Sequence, residues 1–101
     1  MGAALACADG RVVTAANVES ASYGLTLCAE RAAVARAFAE GARDFVALAV
    51  ATGGDEPALP CGACRQVLAE HAPRLQVLAV GRGPAVRHAR LDALLPDAFR
   101  L

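Results

Sequence analysis

Three cysteines, a glutamate and two arginines fall into two short runs, Cys28-Ala29-Glu30-Arg31 and Pro60-Cys61-Gly62-Ala63-Cys64-Arg65-Gln66. Cys61 and Cys64 are three residues apart, so on a helix their sulfurs share one side. Each run lies where a helix is expected to begin, with Thr26 as the first N-cap and Pro60 opening the second helix. The unpaired N–H groups and partial positive charge of a helix N-terminus favour thiolates. Zinc takes thiolates at about 2.3 Å in a tetrahedral arrangement, and three protein ligands leave the fourth position for water, as in catalytic sites. Two alternatives stay open on this spacing: a redox pair at Cys61 and Cys64, or a structural site that recruits Cys7 as a fourth thiolate. Cys7 lies in an apolar stretch with no second ligand beside it and reads as an ordinary buried thiol.

Glu30 and Arg31 interrupt the pattern of the first helix. At about 100° per residue, Leu27, Val34 and Phe38 set its apolar stripe, and Glu30 and Arg31 fall within about 60° of the stripe's centre. Arg36 and Glu40 point away. A carboxylate and a guanidinium at the edge of a core are costly unless each finds a partner. A zinc–thiolate site gives both of them work. Arg31 would offset the negative charge of the sulfurs, and Glu30 would carry a proton between water and a substrate nitrogen. The plainer alternative is that both snorkel to solvent.

The elements that hold these residues can be read along the chain. Residues 2–8 and 11–16 read as strands joined at Asp9-Gly10, a two-residue turn whose residues tolerate positive φ. Residues 17–24 are loop-like, and the first helix runs to about Glu40 with Gly41 as its stop. Residues 45–51 form a near-continuous apolar run, as expected of a strand covered on both faces. A Gly-, Asp- and Pro-rich loop leads to the second helix, which ends near His71. Residues 75–80 form a second buried strand, 85–88 a weaker edge strand, and 91–95 a last helical turn before Pro96. The expected architecture is an α/β domain with a mixed five-stranded sheet packed between helices and a parallel central pair of strands.

Composition narrows the function. The chain has 101 residues, enough for one domain over 1–101, and ten acidic and ten basic residues give a formal net charge of zero. No basic run with interleaved aromatics suggests a nucleic-acid groove, and no apolar stretch is long enough to span a bilayer. Four cysteines with no secretory signal read at the start point to a cytoplasmic protein with reduced thiols.

The two cysteine runs together resemble the cytidine deaminase family, whose signature places a ligand, a catalytic Glu and a later P-C-x-x-C in this order. Asn17-Val18-Glu19 with Ala21-Ser22-Tyr23 resembles the family's ribose-binding segment, and Leu94-Leu95-Pro96-Asp97-Ala98-Phe99 its C-terminal motif. The resemblance implies one zinc per chain on Cys28, Cys61 and Cys64, proton transfer by Glu30, and neutralisation of the ligand sulfurs by Arg31. It implies that Asn17 and Glu19 bind the ribose 3′-hydroxyl, that Ala29 contacts substrate, and that Tyr23 and Phe99 complete a neighbouring subunit's site in a homotetramer. The implied reaction is hydrolytic deamination of cytidine or 2′-deoxycytidine in pyrimidine salvage. Two other readings are carried alongside: a deaminase of another cytosine nucleoside, such as an aminoacyl-nucleoside antibiotic, and an inactive zinc-stabilised homologue. Two departures stand out. Ser20 replaces the family's Asn, and the family's first helix and base-packing Phe would precede Met1, so the resemblance implies a chain shortened at its N-terminus.

Overall fold

The computed structural model describes residues 1–100. Alternating small apolar residues form β1 (Gly2–Cys7), which turns back as β2 (Val12–Ala16) in antiparallel register, Ala4 opposite Thr14. The connection differs from the expected two-residue turn. Gly10 donates to the Cys7 carbonyl at 3.0 Å and Cys7 to the Arg11 carbonyl at 2.9 Å, so three residues make the loop. Only Gly10 takes positive φ, at 95°, which suits a glycine closing such a loop.

A 3-10 turn (Tyr23–Leu25) leads into α1 (Ala29–Ala39), which is followed by β3 (Phe45–Ala51), α2 (Gly62–His71), β4 (Gln76–Val80), β5 (Val86–Arg90) and the short α3 (Leu91–Leu94). The sheet order is β2-β1-β3-β4-β5. Every neighbouring pair is antiparallel except β3 and β4, which are parallel as the sequence implies. Parallel neighbours require a crossover, and α2 supplies it. Because α1 leads into β3 and α2 into β4, the two helices run the same way side by side, with their N-termini at one edge of the sheet.

All three helices contribute to one core. Leu5, Leu48, Val50 and Val77 from the sheet meet Ala33, Val34 and Ala37 of α1, Leu68 of α2 and Leu91 of α3. In α1 the buried stripe is built from alanines at 29, 33 and 37 with Val34, which lets the helix lie close to the strands. The expectation that β3 is covered on both faces does not hold for this chain's own elements. Ala47, Ala49 and Ala51 alternate with buried Leu48 and Val50 and are half-buried to exposed. The apolar run hides this alternation because the open face is also apolar: Leu78 on β4 is 40% exposed, and a shallow groove of about 370 Å³ crosses Ala4, Ala47 and Leu78.

The loop between β3 and α2 is fixed against the turn after β4. Arg82 N–H donates to the Gly54 carbonyl (2.8 Å), Gly83 N–H to the Asp55 carbonyl (3.0 Å), and Thr52 Oγ1 to the Glu56 carbonyl (3.2 Å). The backbones approach so closely that a Cβ at Gly81 would lie 2.6 Å from the Asp55 carbonyl oxygen. Gly81→Ala is therefore expected to destabilise the protein by about 1–3 kcal/mol, as overpacking does. Gly53→Ala, which adds its methyl to open space, should leave the urea midpoint unchanged or slightly raised. A Gly81→Ala midpoint equal to that of the unsubstituted protein would contradict this account of the loop.

Candidate metal centre

Both helices are capped by a cysteine. Cys28 is the N-cap of α1 (φ −67°, ψ 151°) and Cys61 the N-cap of α2 (φ −67°, ψ 169°), in the extended conformation usual for that position. The sequence expectation placed these caps differently. Thr26 is not the N-cap of α1: its Oγ1 accepts the Ser20 N–H at 3.1 Å and so shapes the preceding loop. Pro60 likewise lies just outside α2, fully buried. Cys64 sits in the first turn of α2, one helical step from Cys61, as the three-residue spacing requires.

The parallel helices bring the sulfurs together. Cys28 Sγ is 3.9 Å from Cys61 Sγ, Cys61 Sγ is 3.5 Å from Cys64 Sγ, and none of the three is more than 4.8 Å from another. Tetrahedral zinc with bonds of about 2.3 Å places its sulfurs about 3.8 Å apart, so the set fits the ion. Cys7 is no part of the cluster. It is buried in the core at the end of β1, which removes the four-cysteine structural site from consideration.

The thiols are unequal. Burial pushes the Cys64 thiol up, and its hydrogen bond to Cys61 adds to that, against an opposing hydrogen bond from Arg31. Burial also acts to raise the Cys61 thiol, but the N–H of Cys64, the Cys64 and Cys28 thiols and the N–H of Ala63 outweigh it and bring the thiol below its ordinary value. These N–H groups belong to the first turn of α2, so the helix N-terminus stabilises the thiolate as anticipated.

Glu30 is 2% exposed, and its Oε1 is buried with no hydrogen-bond partner among the described residues. Arg31 donates through Nη2 to the Thr26 carbonyl (3.3 Å) and to Cys28 Sγ (3.6 Å), while its Nε is buried and unpartnered. Hydrogen bonds to the Cys28 and Cys64 sulfurs hold the Arg31 guanidinium firmly protonated. Snorkelling is thus excluded for Glu30, and Arg31 faces the sulfurs. A buried carboxylate oxygen without a partner is costly in a finished core. On the helix that Cys28 caps, it is a carboxylate with a bond still to make.

The remaining sequence candidates divide into two sets. Val18 pairs with Leu27 through two backbone hydrogen bonds (2.8 and 2.9 Å), which fixes Asn17 and Glu19 to the residue before Cys28. Asn17 Nδ2 donates to Glu19 Oε1 at 2.7 Å, and Asn17 Oδ1 accepts from the Met1 amine at 3.1 Å. Ala29 is fully buried between Cys28 and Glu30. Tyr23 and Phe99, by contrast, are 89% and 63% exposed. Two further residues carry no role in the sequence reading despite closing the second motif. Arg65 and Gln66 reach from α2 to the carbonyls of Leu94 and Phe99.

Three cysteine sulfurs on paired helix N-termini, with a buried carboxylate on the same helix as Cys28, define a metal site in a mixed α/β domain. Comparison with known proteins agrees. Residues 1–80 match the family described as the cytidine and deoxycytidylate deaminase zinc-binding region. Cytidine deaminase from Halalkalibacterium halodurans is 48% identical over 100 residues, covering 98% of this chain and 76% of that protein. The crystal structure of cytidine deaminase from Burkholderia pseudomallei superposes with a TM-score of 0.92 at 48% identity, covering 97% of this chain and 80% of the other. Blasticidin-S deaminase from Bacillus cereus is 29% identical over 104 residues, covering 95% of this chain and 74% of that protein. The chain belongs to the cytidine deaminase family, and Cys28, Cys61 and Cys64 are its site for one zinc ion.

Since the sulfurs tie two helices together, metal and stability should be lost as one. Cys28→Ala is expected to retain well under one zinc per chain by atomic absorption and to unfold at lower temperature than the unsubstituted protein. Full zinc occupancy in that variant would refute the ligand set.

Proposed function

We propose that this protein hydrolyses the amino group from cytidine or 2′-deoxycytidine, giving the uridine nucleoside and ammonia. The observation that carries the reading is the buried, unpartnered carboxylate of Glu30, one residue beyond Cys28 and Ala29. A group of this kind is placed to move protons and has no structural bond to lose by doing so.

A zinc ion held by these residues would supply Lewis-acid activation of a water molecule. Cys28, Cys61 and Cys64 would hold the ion, and Arg31, which donates to Cys28 Sγ, would draw negative charge from the sulfurs. Glu30 takes one proton from the water that adds to the ring carbon bearing the amine and delivers it to ring nitrogen N3, then takes the remaining proton from the added oxygen and delivers it to the departing amine. Two proton movements by one carboxylate balance the conversion of water and an amine into a carbonyl and ammonia. Ala29, in the first turn between ligand and carboxylate, contacts the substrate. Asn17 and Glu19 receive the ribose 3′-hydroxyl, and their mutual hydrogen bond of 2.7 Å pre-orients the pair. A carboxylate built to accept from a sugar hydroxyl discriminates strongly against a nucleoside that lacks it. That favours a free nucleoside over an antibiotic with a modified sugar.

Tyr23 and Phe99 are too exposed to serve as core residues, which supports their use in a neighbouring subunit's site within a homotetramer. Among the described residues no helix is long and apolar enough to cross a membrane. Pyrimidine salvage in the cytoplasm is the setting that this chemistry and these reduced thiols suit.

Glu30→Gln keeps the outline of the side chain and removes its basicity. Turnover of cytidine, followed by absorbance, is expected to fall by about 10²- to 10⁴-fold, the usual worth of a positioned proton carrier. Zinc should remain near one per chain. Near-normal turnover would exclude Glu30 as the proton carrier, and loss of zinc would recast it as a ligand. Sedimentation of the unsubstituted protein should give a tetramer, and a fully active monomer would rule out shared sites.

A further inference from the structure

We infer that Gln66 is a positioning residue for the reaction: together with Arg65 it fixes the C-terminal segment that carries Phe99 to the same helix that carries Cys64. This rests on the reading of Phe99 as a contact to substrate in a neighbouring site.

The segment has little local structure to orient it. Helix α3 ends at Leu94, Pro96 cannot extend it, and Asp97 takes φ 55°, so residues 95–99 depend on contacts with the rest of the fold. Two consecutive residues of α2 supply these contacts. The Arg65 guanidinium donates through Nε to the Pro60 carbonyl (2.7 Å) and through Nη1 to the Leu94 carbonyl (3.0 Å). Gln66 Nε2 donates to the Phe99 carbonyl (2.9 Å) and to Glu70 Oε1 (3.2 Å). The start and the end of the segment are thereby held by the first two residues after Cys64.

The chemistry of each side chain suits this task. A guanidinium offers donors in a rigid fork, so one Arg65 can hold two carbonyls that lie 34 positions apart in sequence, Pro60 and Leu94. A carboxamide nitrogen carries two hydrogens, and Gln66 uses one on Glu70, four residues along the helix, which limits its rotamers. The other is then aimed at Phe99 with less entropy left to lose. Pro60 immediately precedes Cys61, so the metal loop and the Phe99 segment share one support. Gln66 touches only the second of these. Its substitution should therefore disturb Phe99 and leave the zinc in place, whereas an Arg65 variant would disturb both.

The test is a double-mutant cycle on the zinc-loaded enzyme with cytidine as substrate. Gln66→Ala is expected to raise KM about tenfold with kcat within about twofold, the pattern of lost binding. Gln66→Glu, which keeps the shape and loses the donor, should do the same, and both should hold about one zinc per chain. Phe99→Ala should also raise KM. If Gln66 acts through Phe99, the double variant Gln66→Ala/Phe99→Ala matches Phe99→Ala within about twofold, because the two changes share one effect. Unchanged KM in both Gln66 variants, or full additivity with Phe99→Ala, overturns the positioning role while leaving Phe99 as a contact. Unchanged KM in Phe99→Ala removes the contact, and the positioning role with it.

Discussion

Thiols on separate helices do not gather by themselves, and their thiolates repel. The fold holds three of them within 4.8 Å by a single topological device, the parallel pairing of β3 and β4. Each of these strands is preceded by a helix on the same face of the sheet, so the helices run parallel and their N-termini emerge together. The positive ends of two helix dipoles then converge on the sulfurs, and the N–H groups of the α2 first turn stabilise the Cys61 thiolate directly. An antiparallel central pair would have put the two helix starts at opposite edges of the sheet.

Around that convergence the fold accepts local costs. Glu30 occupies a position in the buried stripe of α1 where an apolar residue would pack more favourably, and its Oε1 has no partner among the described residues. Arg31 is held between the Thr26 carbonyl and Cys28 Sγ, with its Nε buried. The alanine-rich stripe of α1 gives up buried area per residue but lets the helix approach the sheet closely. The ends of the site are secured by backbone: Val18 against Leu27 on one side, and the loop from Gly53 to Pro60 against the turn at Gly81 on the other.

The chemistry was more legible in the sequence than its setting. Cys61 and Cys64 announce a shared face because three residues make nearly one helical turn, and Glu30 draws notice because a carboxylate in an apolar stripe needs a reason. The caps were harder to place. Thr26 is the better N-cap by residue type, yet its hydroxyl is taken by the N–H of Ser20, six residues earlier, a partner that periodicity cannot reveal. The open face of β3 was hidden because alanine and valine fill both sides of the strand. Gly81 reads as an ordinary turn glycine, and only the folded chain shows Asp55 against it. Arg65 and Gln66 lay inside a recognised motif, but their partners at Leu94 and Phe99 are 29 and 33 residues away.

The central claim is an open zinc site with three sulfur ligands, and zinc K-edge X-ray absorption of the purified protein tests it most directly. The account predicts three sulfur neighbours at about 2.3 Å and one oxygen or nitrogen neighbour at about 2.0–2.2 Å. Four sulfur neighbours and no lighter atom would describe a closed structural site and contradict it.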